Sequence, residues 1–183
     1  MIPEFKEFGK IARLSRDIIV SEKIDGTNAQ IYIDDYGEIF AGSRNRWLID
    51  EDNFGFGAWV KENKEHLLLL GPGRYYGEWC GAGVGRRYNM KIKKLAFFYP
   101  PKNFEDIERE DITTVPVLYL GPFCTNKIDE SLEILKSQGS LFSPGFMKPE
   151  GIVIFHTASQ TLFKKTIEKD SEPKSMVKHD NPS

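Results

Sequence analysis

The chain's 183 residues suffice for one well-packed domain rather than two, and an apolar fraction of 40% with 13% aromatics suits a globular core. With 25 basic against 27 acidic residues, the net charge of −2 excludes a protein held to nucleic acid by bulk charge, though not one with a local basic patch. No run reaches the roughly 18 apolar residues of a membrane span, and the opening Met1-Ile2-Pro3-Glu4-Phe5-Lys6 lacks the layout of a signal peptide. Cys80 and Cys124 make neither a metal-ligand spacing nor a disulfide framework. The expectation is a cytoplasmic protein with two reduced thiols and no membrane association.

In chain order, Phe5, Phe8, Ile11 and Leu14 mark a short amphipathic segment without a firm period. Strands are expected near 18–24 and 28–34, joined by a tight turn at Asp25-Gly26, where glycine supplies a positive φ without steric cost. Asp34-Asp35-Tyr36-Gly37 turns the chain into a third strand at 38–41, and residues 43–54 are polar and irregular. Trp59, Val60, Asn63, Leu67 and Leu70 fall at helical spacing between Gly57 and Leu70, with Gly71-Pro72-Gly73 as the stop. Residues 74–80 are strand-like. The glycines at 81, 83 and 85 do not match a dinucleotide fingerprint and predict a flexible loop. Beyond them, the run from Arg86 to Lys94 sets five cations around Tyr88, either a solvated loop or a patch for a phosphate backbone. Strands at 95–99 and 116–120 flank an acidic excursion, 102–114, expected at the surface. Ile128, Leu132 and Leu135 mark a helix ending near Gly139. A loop at 143–149 then delivers a strand at 150–155, and 161–166 is the last strand. The layout is α+β, antiparallel-leaning sheets with helices outside. From Glu168 onward the chain is charged and carries Pro173 and Pro182, so residues 171–183 are expected to be a flexible tail behind a single domain, 1–170.

Lys23 stands at the end of the first long strand, in Lys23-Ile24-Asp25-Gly26. On its own this string is an ordinary turn with a solvated lysine. A lysine there acts as a nucleophile only after losing its proton, and at an unperturbed pKa of about 10.4 only about one molecule in a thousand is reactive near neutral pH. A depression of about three units takes roughly 4 kcal/mol of destabilisation of the ammonium. Other cations and partial burial are the means, and the chain offers cations late, at Lys164 and Lys165.

The order Lys23-x-Asp25-Gly26, Gly77-Glu78, the aromatic strand at 95–99, Glu150-Gly151 and Phe163-Lys164 resembles the covalent nucleotidyltransferases over roughly residues 18–166. That superfamily holds ATP-dependent DNA ligases, RNA ligases and mRNA capping enzymes. Gly26-Thr27-Asn28 and Ser43-Arg44 make the chain most similar to the RNA ligase 2 type. The resemblance implies a nucleotidyltransferase (ATP-grasp-like ligase) fold, with ATP and Mg²⁺ or Mn²⁺ as cofactors. The implied substrates are ends or nicks of RNA, or of an RNA/DNA hybrid. It also implies a reaction in three steps: Lys23 takes AMP from ATP, AMP passes to a 5′-phosphate, and a 3′-hydroxyl displaces it.

Roles follow from the same likeness. Lys23 is the nucleophile, and Glu78 accepts hydrogen bonds from the ribose hydroxyls. Phe98 stacks on adenine; strand alternation puts it on one face with Ala96, leaving Phe97 on the other as the alternative. Glu150 holds the metal ion. Asn28 and Arg44 contact the nucleotide or the incoming phosphate, and Glu22, Asp25, Gly26 and Lys165 are counted with them around the nucleotide. Lys164 stands by the α-phosphate. Many relatives place two lysines at Lys-x-Lys spacing in the last motif, whereas Lys164 and Lys165 are adjacent here, so a regular strand points only one of them into the pocket. Relatives also append a C-terminal domain that the residues after 166 are too few to form, which implies a protein partner in its place or a pre-adenylated end. The alternatives are a capping-type guanylyltransferase, a DNA nick ligase, or a nucleotide- or RNA-end-binding module without chemistry.

Overall fold

The computed structural model describes residues 2–49, 52–168 and 170. The strands are β1 (Asp17–Lys23), β2 (Thr27–Ile33), β3 (Ile39–Gly42), β4 (Gly73–Gly81), β5 (Lys93–Phe97), β6 (Ile112–Thr114), β7 (Val117–Pro122), β8 (Gly151–His156) and β9 (Thr161–Thr166). They form two sheets, ordered β7-β1-β8-β9 and β3-β2-β4-β5-β6. Every pairing is antiparallel except β5 with β6. The expected α+β class, with helices on the outside of antiparallel sheets, is the observed one. None of the helices among the described residues is long and apolar enough to cross a membrane.

Both long N-terminal strands bury alternate residues, as half-buried strands do. Ile18 and Val20 of β1 pack with Ile152 and Ile154 of β8 and with Leu132 and Leu135 of helix α4 (Thr125–Gln138). Ala29, Ile31 and Ile33 of β2 belong to a different core, with Trp79, Leu95 and Phe97, under the short helices α1 (Phe56–Glu62) and α2 (Lys64–Leu67). Each large side chain buried there contributes about 1.5–3 kcal/mol. The two strands flanking Asp25-Gly26 therefore do not pair with each other. Instead of a hairpin turn, Ile24–Gly26 is the crossing from one sheet to the other, and it leaves a cleft between the sheets.

The reason for glycine at 26 changes accordingly. Gly26 is not among the residues with positive φ. A Cβ there would lie 2.3 Å from the Trp79 carbonyl oxygen, so it is the close approach of the crossing to β4 that excludes a side chain.

Other expectations are corrected by packing. The helix at 57–70 breaks at Asn63, whose Nδ2 donates to the Trp59 carbonyl (2.8 Å) while its Oδ1 accepts from Arg109 (2.5 Å). A side-chain amide that bonds its own backbone competes with the helix. The acidic excursion is only half at the surface: helix α3 (Phe104–Ile107) and β6 carry Ile107 and Ile112 into the core, both wholly buried. The glycine loop after β4 is packed, with Val84 and Tyr88 buried. Residues 2–13 form no regular element, and Phe5, Phe8 and Ile11 lie exposed along them. The tail expected at 171–183 lies outside the described residues.

Candidate active site

Lys23 closes β1 on the face that also carries Ile19 and Ser21, the side turned to the cleft. Its register partner on β8 is Gly151, so Glu150 arrives beside it. Lys23 Nζ lies 2.6 Å from Glu150 Oε2, with the two side chains 20% and 6% exposed. The amine is thus held by a carboxylate 127 positions later rather than left in open water. The register Ser21↔Val153↔Lys164 puts Lys164 of β9 on the same face. About 10 Å of sheet separates β1 from β9. Lys165 takes the opposite face, opposite Ile152, and its Nζ pairs with Asp129 of α4 at 2.6 Å. This corrects the grouping of Lys165 with the nucleotide contacts.

Glu22 is corrected in the same way. As the neighbour of Lys23 on a strand it points away from the cleft, is 1% exposed, and accepts hydrogen bonds from Ser140 Oγ (2.6 Å), Leu141 N (2.8 Å) and Phe142 N (2.9 Å). Burial pushes its carboxyl above the usual range, against those three donors. Its work is to bind the loop after α4 to the strand that carries the amine.

Glu78 enters from the second sheet. Its Oε1 accepts the Gly26 N–H (3.1 Å) and its Oε2 accepts from Asn28 Nδ2 (3.2 Å), the residue opposite it on β2. Burial raises its carboxyl to about 7, opposed by the Gly26 N–H, the Lys23 charge and Asn28, and reinforced by Glu150. Two carboxylates and an amine therefore sense one another across the cleft.

Two loops that spacing alone left undefined lock the crossing in place. The Asp25 N–H donates to the Tyr88 hydroxyl (2.8 Å), and the Asp25 carboxylate faces Arg86 Nε at 3.4 Å. Tyr88, wholly buried, packs against Phe142 and Phe146, and its carbonyl accepts from Ser143 Oγ (2.6 Å). Arg87, Tyr88 and Asn89 all have positive φ, a conformation costing roughly 1–2 kcal/mol per residue that the surrounding packing holds. Asp25 and Gly26 thus frame the turn: the Gly26 N–H is committed to Glu78 and the Asp25 side chain to Arg86. The basic run 86–94 is correspondingly no continuous patch, since Arg86 also donates to the Lys148 carbonyl and Lys93 to the Phe54 carbonyl. Tyr88, Ser140 and Gly85 escaped sequence reasoning. A tyrosine amid cations looked like a surface residue, and only the tight contact of Gly85 with the Asp25 carbonyl, where a Cβ would lie at 2.0 Å, explains its glycine.

Phe98 lies one residue beyond β5, and its N–H donates to the Tyr76 carbonyl (3.0 Å). Ala96 pairs with Glu78, so Phe98 shares Glu78's face and is 45% exposed, whereas Phe97 is 1% exposed in the core. Arg44 follows β3 in a loop and lines a small cleft with Gln30 and Arg74. Gln30 sits on β2 two residues beyond Asn28, so Arg44 borders the same face farther out. Among the described residues no three His, Cys, Asp or Glu side chains converge as a metal cage. A single buried carboxylate such as Glu150 fits a hard ion that keeps waters and shares phosphate oxygens. In sum, the cleft can hold an anion between two lysines, accept hydroxyl hydrogen bonds at Glu78, and stack a ring on Phe98.

Comparison with known proteins bears on the family and the fold. The RNA ligase family matches residues 16–166. Curated protein sequences gave no match. Among solved structures, a mutant of the Naegleria gruberi RNA ligase with ATP and Mn is 18% identical, with a TM-score of 0.61 over 85% of this chain and 51% of that one. A second mutant with AMP and Mn is also 18% identical, at a TM-score of 0.61 over 84% and 50%. The same ligase with PPi is 17% identical, at 0.57 over 90% and 57%. The likeness at this identity is one of fold, and the chain spans about half the length of those proteins. The match across residues 16–166 makes the chain a member of the RNA ligase family.

Proposed function

We propose that this domain is the nucleotide-accepting unit of an ATP-dependent RNA ligase, with Lys23 as the residue that becomes covalently adenylylated. The Lys23 nitrogen attacks the α-phosphorus of ATP and loses a proton. An N–P bond forms as the bond to pyrophosphate breaks. AMP then passes to the 5′-phosphate of an RNA strand, and a 3′-hydroxyl displaces it to close the strand. In such transfers the protein mainly positions groups and neutralises charge. Lys164 stabilises the charge on the α-phosphate from across the sheet. Glu78 and Asn28 hold the ribose, Phe98 stacks on the adenine, and Arg44 meets the outer phosphates or the incoming one. Glu150 would hold a divalent cation, Mg²⁺ or Mn²⁺, which would supply positive charge against the phosphate oxygens.

The observation that carries this reading is the convergence on Lys23 of Glu150 at 2.6 Å with Lys164 on the same face. Relatives of the same fold studied with ATP or AMP and Mn support the choice of cofactors. Two unpaired cysteines, one of them buried with its thiol pushed up to about 12, suit a reducing cytoplasm.

The test is intact-mass spectrometry after incubation with ATP and Mg²⁺, and separately with GTP. Wild-type protein should gain one AMP from ATP, Lys23→Ala none, and GTP should leave no adduct. A GMP adduct in place of AMP would assign the chain to the capping type. ATP binding indifferent to Lys23→Ala, with no covalent label, would leave a binding module.

A further inference from the structure

The face that carries Glu78 does not end at the nucleotide site. Along β4, Glu78, Tyr76 and Arg74 point the same way, paired with Asn28, Gln30 and Tyr32 of β2, and Tyr32 pairs with Phe40 of β3. At the far end Tyr32, Phe40 and Trp47 form a triangle of rings, with centroids 5.9–6.1 Å apart. Phe40 is 44% and Trp47 39% exposed, and none of the three belongs to a core cluster. The Arg74 guanidinium lies 4.6 Å over the Tyr32 ring and 5.4 Å over that of Trp47. Beside them opens a cleft of about 240 Å³ whose lining includes Gln30, Arg44, Arg46, Trp47 and Arg74. That is smaller than an ordinary small-molecule pocket, so it fits part of a longer ligand. Arg44 and Arg74, gathered there on a chain of net charge −2, concentrate positive charge locally.

We infer that this strip is the path of a single-stranded polynucleotide leading to the nucleotide site, with Tyr32, Phe40 and Trp47 as its stacking platform. The inference rests on the reading of Lys23 as the adenylylated residue only for its direction. Every base has a π-face, so exposed rings hold successive bases whatever the sequence, while cations follow the phosphates. An arginine stacked on aromatics keeps its planar fork directed outward for phosphate oxygens. Four residues of strand separate Glu78 from Arg74, about 13 Å, which stacked nucleotides at about 3.4 Å each cover in roughly four steps. The strip therefore reads nucleotides beyond the third or fourth from the reacting end, and Tyr76, 52% exposed, lies between.

The probes are 5′-phosphorylated RNA oligonucleotides of three and ten nucleotides, labelled at the 3′ end and followed by fluorescence anisotropy, with a DNA ten-mer of the same sequence. The proteins are wild type, Phe40→Ala, Trp47→Ala and Arg74→Ala. Label transfer from ATP on the same preparations reports both folding and the Lys23 reaction. Wild type should bind the ten-mer more tightly than the three-mer. Trp47→Ala or Phe40→Ala should weaken ten-mer binding by roughly 5- to 150-fold and leave the three-mer unchanged. Arg74→Ala should reduce the slope of log affinity against log salt by about 0.7. Label transfer from ATP should be unaltered in all three variants. Equal losses on RNA and DNA, or losses on RNA alone, both support the strip and differ only in whether the 2′-hydroxyl is read. Ten-mer binding untouched by all three variants, or no gain from three to ten nucleotides in wild type, overturns it. A wild type that never takes AMP from ATP refutes the proposed function instead, and leaves the length-dependent losses to decide the strip.

Discussion

Replacing Glu78 with glutamine separates the cost of burying this carboxylate from everything else it does. The group ionises near 4.5 when free, and burial moves that to about 7 in the fold. A raised value means that folding favours the protonated acid. Its stabilising effect is complete below the unfolded value and disappears as pH climbs through about 7. A shift of this size corresponds to about 3 kcal/mol at full ionisation, of which about 2.5 falls between pH 5 and pH 8. Glutamine does not titrate, but it offers one acceptor where Gly26 N–H and Asn28 Nδ2 need two. That mismatch is nearly independent of pH, so the difference between the two pH values cancels it. The assay is urea unfolding of wild type and Glu78→Gln at pH 5 and pH 8. Relative to wild type, the variant should gain about 2 to 3 kcal/mol on going from pH 5 to pH 8, equivalent to roughly 5–10 °C in melting temperature for a domain of this size. A relative stability that stays constant within about 0.5 kcal/mol across that range would refute the claim that Glu78 is buried against its charge.

The two adjacent lysines of β9 should part company. Lys164→Ala should cut AMP transfer to Lys23 by at least about tenfold, as loss of one charge-stabilising donor does. Lys165→Ala should leave the transfer unaltered and cost no more than about 1 kcal/mol, because its partner Asp129 is exposed; equal effects of the two in a single-turnover label assay would contradict the strand geometry. Gly26→Ala drives a Cβ onto the Trp79 carbonyl oxygen and should lower stability by about 1–3 kcal/mol by chemical denaturation, as overpacking does. A wild-type midpoint would show that the crossing tolerates a side chain.

Much of this molecule was legible in the linear chain because local rules suffice for it. Strand-like runs marked β1, β2 and β9, helical spacing marked α4, and the order of Lys23, Glu78, Glu150 and Lys164 pointed to the candidate site. Strand alternation separated Phe98 from Phe97, since a strand sends neighbours to opposite faces. Periodicity, however, carries no information about partners. It does not tell that β1 and β2 enter different sheets, that Gly26 is needed for a close approach, or that Glu22 turns from the face of Lys23 toward the loop at 140–142. Tyr88 and Arg86 look like solvent-facing residues in one dimension and prove to be the clamp on Asp25 in three. The types and spacings of the reactive groups belong to the sequence. Their convergence belongs to the tertiary fold, where burying the apolar faces of two sheets against separate cores opens a cleft and brings a carboxylate from position 150 to within 2.6 Å of an amine at position 23.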